Sequence, residues 1–239
     1  VTVIAVIDYD MGNLHSVCKG LEIAGALPVV TYDHQQILRA DAVVLPGVGA
    51  FDPAMQKIRD RNLEQPINDA IASGKPFLGI CLGMQLLFDR SEEGHEAGLG
   101  AIEGTVKRFQ PESGITIPHM GWNQLEFSQP DCPLWRDLGD RNPDLNLELK
   151  LKAQPWMYFV HSFYVAPVDQ SVVAATVTHG SQTVTASISR ANLMAVQFHP
   201  EKSSTDGIKI LTNFVNHVSS SKSMSKSSAK SLPNQLLKV

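Results

Sequence analysis

The sequence predicts an α/β protein: an open mixed, largely parallel sheet flanked by helices, with additional antiparallel strands. Three observations predict it. The first 90 residues alternate short apolar, β-rich runs with amphipathic stretches, the pattern of parallel βαβ units. Beyond Gly100 the pattern changes to short strands separated by turn residues, which reads as largely antiparallel pairing. The 239 residues are 43% hydrophobic and 18% charged with a mean hydropathy of −0.06, a globular composition, and the chain is long enough to bury a full core.

Thr2 to Asp8 reads as the first strand. Leu14 to Ala24 follows as a helix, because Leu14, Val17, Cys18, Leu21 and Ala24 recur at three- and four-residue intervals and so share a face; Gly25 ends it. Pro28 to Tyr32 and Ala42 to Leu45 are the next strands, the second breaking at Pro46, which has no N–H for a sheet ladder. Helical spacing covers Pro53 to Ala72 in two pieces divided near Asn62, and Gly74 and Pro76 lead into a strand at Phe77 to Ile80 with Cys81 at its end and a helix from Leu82 to Phe88. Six strands are expected after that: Ala101 to Phe109, Asn123 to Phe127, Met157 to Tyr164, Val172 to Thr178, Thr183 to Ser189 and Leu193 to Phe198. Ile208 to Val218 returns to a helical period. Residues 1–218 thus form one domain. Residues 219–239 are a Ser/Lys-rich tail expected to be disordered, since it lacks the apolar residues to pack. Asp137 to Asn146 reads as a polar surface loop.

Charge and cysteine usage narrow the functions available. Net charge is −4, and the tail holds four lysines and no acid after His217, so the remainder carries −8, which repels nucleic acid. No apolar run reaches the roughly 20 residues of a membrane-spanning helix, and Val1 to Asp8 has no basic segment of a secretory signal. Cys18, Cys81 and Cys132, odd in number and widely spaced, suit free thiols in a reducing, cytoplasmic setting. His and Cys show no clustered ligand spacing, so neither metal nor cofactor is expected.

Three segments carry chemistry. Gly79-Ile80-Cys81-Leu82-Gly83 is a cysteine version of the strand-to-helix nucleophile elbow, whose flanking glycines permit the sharp turn. At the first turn of a helix, unpaired N–H groups favour thiolate over thiol, and an apolar neighbourhood opposes that; the alternative is a small buried cysteine packed as a hydrophobe. His199-Pro200-Glu201 follows an apolar strand at its carboxyl end, where open α/β sheets place their sites, and Pro200 bends the chain so that both side chains can face one cleft. Pro46-Gly47-Val48-Gly49-Ala50-Phe51 could aim backbone N–H groups at a carbonyl oxygen, or could be a plain β-to-α connection. Together they make a Cys81, His199, Glu201 triad the better hypothesis, because a catalytic imidazole needs an acceptor that fixes its tautomer.

Cys81-Leu82-Gly83-Met84-Gln85, the Pro46 to Gly49 loop and His199-Pro200-Glu201, occurring in that functional set, resemble the triad (class I) glutamine amidotransferases. Within them, Asp8 to Leu14, Pro118-His119-Met120-Gly121-Trp122-Asn123 and Tyr158 to Ser162 resemble the glutaminase subunits of imidazole glycerol phosphate synthases, from Val3 to about Val218. Related glutaminases usually carry His where this chain has Met84. Two departures are Phe163, where Tyr is frequent, and Asp10, where Gly is common.

The resemblance implies that Cys81 attacks the carboxamide carbon of glutamine, that N–H groups of Leu82 and of Val48 or Gly49 hold the oxyanion, and that His199, oriented by Glu201, protonates the departing ammonia. It implies substrate contacts at Gly49, Gln85, Glu93, Ser162 and Phe163, Glu93 suiting the α-ammonium. It implies a partner, a (β/α)8 cyclase forming a heterodimer with this chain, which joins the ammonia to a ribonucleotide in histidine biosynthesis and docks near Asn13, Met120, Trp122 and Lys202. Core packing is the alternative for Met120 and Trp122. A cysteine peptidase or esterase would use the same thiolate on another acyl group. A flavodoxin-like binding module has similar alternation, but Asp8 and Asp10 would repel a phosphate at the first helix, and no phosphate-loop pattern follows a strand.

Overall fold

The computed structural model describes residues 1–138 and 154–230, with the side chains of 223–230 left out. In chain order the elements are β1 (Thr2–Ile7), α1 (Leu14–Ile23), β2 (Ala26–Thr31), α2 (His34–Arg39), β3 (Ala42–Gly47), α3 (Phe51–Asp60), α4 (Glu64–Ala72), β4 (Phe77–Cys81), α5 (Leu82–Gln85), β5 (Phe88–Ser91) and β6 (Ile102–Arg108). They continue as β7 (His119–Gln124), β8 (Glu126–Phe127), β9 (Trp156–His161), β10 (Phe163–Pro167), β11 (Val173–His179), β12 (Gln182–Arg190), β13 (Leu193–Val196) and α6 (Ser204–Lys230). The main sheet has the order β2-β1-β3-β4-β13-β12-β11-β8. Its first five strands are parallel, and β12, β11 and β8 add antiparallel. A three-stranded sheet, β10-β6-β5, and the pair β7-β9 complete the strands among the described residues.

The inner parallel strands β1, β3, β4 and β13 are buried on both faces, which is why they read as apolar runs, while the edge strand β2 is half exposed. Alternation still sorts them: Ile4, Val6, Ala42, Val44, Leu78, Ile80, Met194 and Val196 share one core with Val17 and Leu21 of α1 and Ile210, Leu211 and Phe214 of α6. Ala5, Ile7, Val43, Leu45, Phe77 and Ala195 share the other with Ile37 of α2, Met55 and Ile58 of α3 and Ile67 of α4. Among the described residues no helix is long and apolar enough to cross a membrane, and Cys18 and Cys81 are free thiols.

Several expectations are corrected. β3 does not break at Pro46 but runs through it to Gly47. Pairing with β1 ends at Val44, and the Pro46 carbonyl accepts from the Tyr9 hydroxyl on that side, so the missing N–H faces a gap in the ladder. The helix after Cys81 is only four residues long rather than reaching Phe88, because the Leu86 and Leu87 carbonyls accept from the N–H groups of Leu99 and Ile102 and the chain leaves as β5. α2 was not anticipated; Asp33 caps it by accepting from Gln36 N at 2.8 Å. Met157 to Tyr164 is two strands parted at Ser162. The strand Leu193 to Phe198 stops at Val196 and pairs parallel with β4. α6 passes Val218 and runs to Lys230, with Ser219 bonded to Thr2 and Lys222 paired with Asp41 at 2.8 Å. Of the Asp137 to Asn146 loop only Asp137 and Leu138 fall within the described residues, and 231–239 lie outside them. Asp10, where glycine is common, has φ 64° and is ion-paired with Arg61 at 2.6 Å, a short polar residue tolerated in the left-handed region.

Candidate active site

The three segments singled out in the sequence arrive on adjacent strands. β3, β4 and β13 are neighbours and parallel, so the Val48–Gly49 loop, Cys81 and His199 leave the same carboxyl edge of the sheet. Cys81 has φ 55° and ψ −114°, a conformation costly for a residue with a Cβ and typical of a nucleophile held at a sharp turn. The turn closes because Gly83 lies on β3: a Cβ there would sit 1.8 Å from the Leu45 carbonyl oxygen. Gly49, φ +103°, supplies the corresponding bend in the facing loop.

His199 donates through Nδ1 to Glu201 Oε1 at 2.8 Å, both side chains being almost fully buried. Its Nε2, with no aligned hydrogen-bond partner, is left for the sulfur side of the ring. Burial, the largest influence, disfavours the imidazolium, but Cys81 and then Glu201 outweigh it and raise His199 from 6.5 to about 9. Since the folded value lies above the unfolded one, this interaction stabilises the fold fully below about pH 6.5 and is lost as pH rises through about 9. A ring-carbon NMR titration is expected to place His199 near 9 in the wild type and markedly lower in Cys81→Ala, where the stronger raising influence is gone. An unchanged midpoint in that variant would separate the two side chains electrostatically.

A cleft of about 330 Å³ opens over the sulfur, lined by Val48, Gly49, Cys81, Leu82, Gln85, Glu93, Ser162, Phe163 and His199, together with Pro118, Val160 and His161. Its size falls within the range of small-molecule sites. A larger hollow, about 530 Å³, is bordered by Arg39, Lys75 and Lys222 and is lined by neither cysteine nor histidine. Glu93 accepts from Phe51 N at the start of α3 at 2.9 Å, which fixes the carboxylate at the cleft wall. Gln85 is buried, and its amide nitrogen donates to the Phe163 carbonyl at 3.1 Å and to Gln197 Oε1 at 3.0 Å. Ser162 turns the chain between β9 and β10.

The sequence profile described as Glutamine amidotransferase class-I matches residues 5–218. The chain belongs to the class I glutamine amidotransferase family. Imidazole glycerol phosphate synthase subunit HisH of Acaryochloris marina is 67% identical over 216 residues, 90% of this chain and 95% of that protein. The protein of the same description from Trichormus variabilis is 65% identical, again over 90% of this chain and 96% of its own length. Among solved structures, PurLQS from Thermotoga maritima aligns with a TM-score of 0.67 at 21% identity, covering 91% of this chain and 99% of that one. The glutaminase domain of Trypanosoma brucei CTPS aligns at 0.63 and 16% identity, covering 92% and 94%. At such identities the structural likeness speaks for the fold.

In this amidotransferase chain Cys81, His199 and the expected oxyanion and substrate residues line one cleft, and Glu201 lies behind His199, bonded to its ring. The docking residues spread further. Met120 and Trp122, on one face of β7, are 62% and 49% exposed, so the core alternative for them is set aside. Lys202 is exposed at the end of the turn Pro200–Lys202. Asn13 instead caps α1 and borders a small void behind His199 and Glu201, beside the triad. Gln197 was missed. It is fully buried, and its amide nitrogen lies 3.7 Å from Cys81 Sγ. The signal was present as one polar residue inside the apolar run Leu193 to Phe198. The helix-dipole support expected for the thiolate weakens, because α5 is a single turn.

Proposed function

We propose that this chain is the glutaminase component of an imidazole glycerol phosphate synthase, hydrolysing glutamine to glutamate and ammonia for a (β/α)8 cyclase partner in histidine biosynthesis. One observation carries the reading: three adjacent parallel strands deliver a strained cysteine, a carboxylate-paired histidine and a glycine loop to one cleft. The high identity to subunits of that description supports the choice of partner.

In this mechanism His199 takes the Cys81 proton, and the sulfur forms a bond to the carboxamide carbon while the carbonyl electron pair moves onto oxygen. N–H groups of Leu82 and of Val48 or Gly49 receive that oxyanion. As it collapses, the C–N bond breaks and His199 gives its proton to nitrogen, releasing ammonia. Water, deprotonated by the same ring, then displaces the thiolate to yield glutamate, Glu201 holding the ring throughout. Glu93 and the Ser162–Phe163 segment position the amino acid end. Free ammonia is mostly protonated at neutral pH and is then no nucleophile, so release into a docked cyclase is chemically favoured over release into water. The exposed Met120 and Trp122, with Val48 on the cleft rim 39% exposed, are the kind of apolar and aromatic surface an interface covers. The test is glutamate production by the pure chain alone and after mixing with the cyclase and its ribonucleotide. Slow turnover alone and faster turnover in the mixture are expected; peptide or ester cleavage without glutamine turnover would overturn the assignment.

A further inference from the structure

We infer that Gln197 is the hydrogen-bond donor that holds the Cys81 thiolate, its orientation set through Gln85 by the backbone carbonyl of Phe163. The inference rests on the reading of Cys81 as the nucleophile.

The polarity of this chain of bonds follows from its far end. A backbone carbonyl can only accept, so the Gln85 side chain must turn its nitrogen toward Phe163 O, 3.1 Å away. That same nitrogen reaches Gln197 Oε1 at 3.0 Å, so Gln197 presents oxygen to Gln85 and nitrogen to the other side. On that side lies Cys81 Sγ at 3.7 Å, within reach of an N–H to sulfur bond. Gln197 is fully buried and Gln85 nearly so, which removes water as a competing partner and makes an unpaired amide costly. The backbone of Gln197 is pinned as well, its N–H donating to Ala186 O at 2.8 Å. An N–H aimed at sulfur stabilises the anion over the neutral thiol. Gln85 is therefore a positioning residue that acts through Gln197, and the chain of bonds ties the Ser162–Phe163 wall of the cleft to the sulfur.

The titratable groups around the sulfur are His199 after β13, Tyr9 after β1, Glu93 after β5 and His161 on β9, and the variants below retain all four. The test is the pH dependence of iodoacetamide alkylation of the full chain, followed at Cys81 by peptide mass. In Gln197→Met, which keeps length but has no donor, the midpoint is expected to rise by about one unit and the rate at neutral pH to fall about tenfold. Glutamine turnover in the cyclase complex is expected to lose kcat with KM little changed. Gln197→Glu keeps the bond from Gln85 and replaces the donor by an acceptor, so it moves the midpoint the same way and further, and it serves if the Met variant fails to fold. Gln85→Met is expected to give a smaller shift in the same direction. An unmoved midpoint in a folded Gln197 variant overturns the inference. Wild-type protein alkylated at Cys81 that still hydrolyses glutamine would instead overturn the nucleophile reading, and this inference with it.

Discussion

Replacing Cys81 by serine is expected to lower glutamine hydrolysis by about four orders of magnitude or more, a barrier increase of roughly 5.5 kcal/mol. Synthesis driven by added ammonia in the complex with the cyclase is expected to persist. Serine has the same branching and is slightly smaller, so the elbow at φ 55° and the cleft around it are preserved. What changes is the nucleophile, since a neutral hydroxyl ionises far less readily than a thiol. Both activities measured on one preparation separate chemistry from folding. Hydrolysis within tenfold of wild type would exclude Cys81 as the attacking group.

Gly83→Ala is expected to destabilise the domain by about 3 kcal/mol, a Tm fall of roughly 6–12 °C, and to remove glutaminase activity. The added Cβ would sit 1.8 Å from a backbone oxygen of β3, and a backbone atom in the middle of a sheet cannot swing aside as a side chain can. Relief requires lifting the elbow off the sheet, which moves Cys81 away from His199 and Leu82 away from the Val48–Gly49 loop. Gly74→Ala is the control. Unlike Gly83 it has a positive φ, +78°, but nothing lies within 4 Å of its Cβ position, so it carries only the backbone penalty of about 1 kcal/mol. Equal melting losses in the two variants would show that close approach at Gly83 is not what holds the elbow.

The elbow was legible because its glycines flank a cysteine at fixed spacing, and the His199–Glu201 pair because proline places a polar dyad just after an apolar strand. The helix after Cys81 was overestimated, since Leu82 to Phe88 is apolar enough to be buried helix or buried strand, and periodicity does not separate the two over seven positions. Pro46 misled for a related reason: the rule against proline in a ladder concerns the neighbour its N–H would face, and pairing with that neighbour, β1, ends two residues earlier. The tail reading turned on composition alone, whereas Ser219 and Lys222 find partners, Thr2 and Asp41, some 180 or more residues earlier in the chain.

By itself the sequence determined the α/β class and singled out the cysteine elbow and the His199–Glu201 pair as candidates, because each is encoded within a few consecutive residues. Strand order belongs to tertiary structure. The placement of β13 beside β4 sets His199 against Cys81 across 118 residues, and the bond from Gln85 to Gln197 spans 112. Such distances leave no local imprint: the energy that fixes them comes from burying both faces of one parallel sheet, a property of the assembled layers and not of any segment.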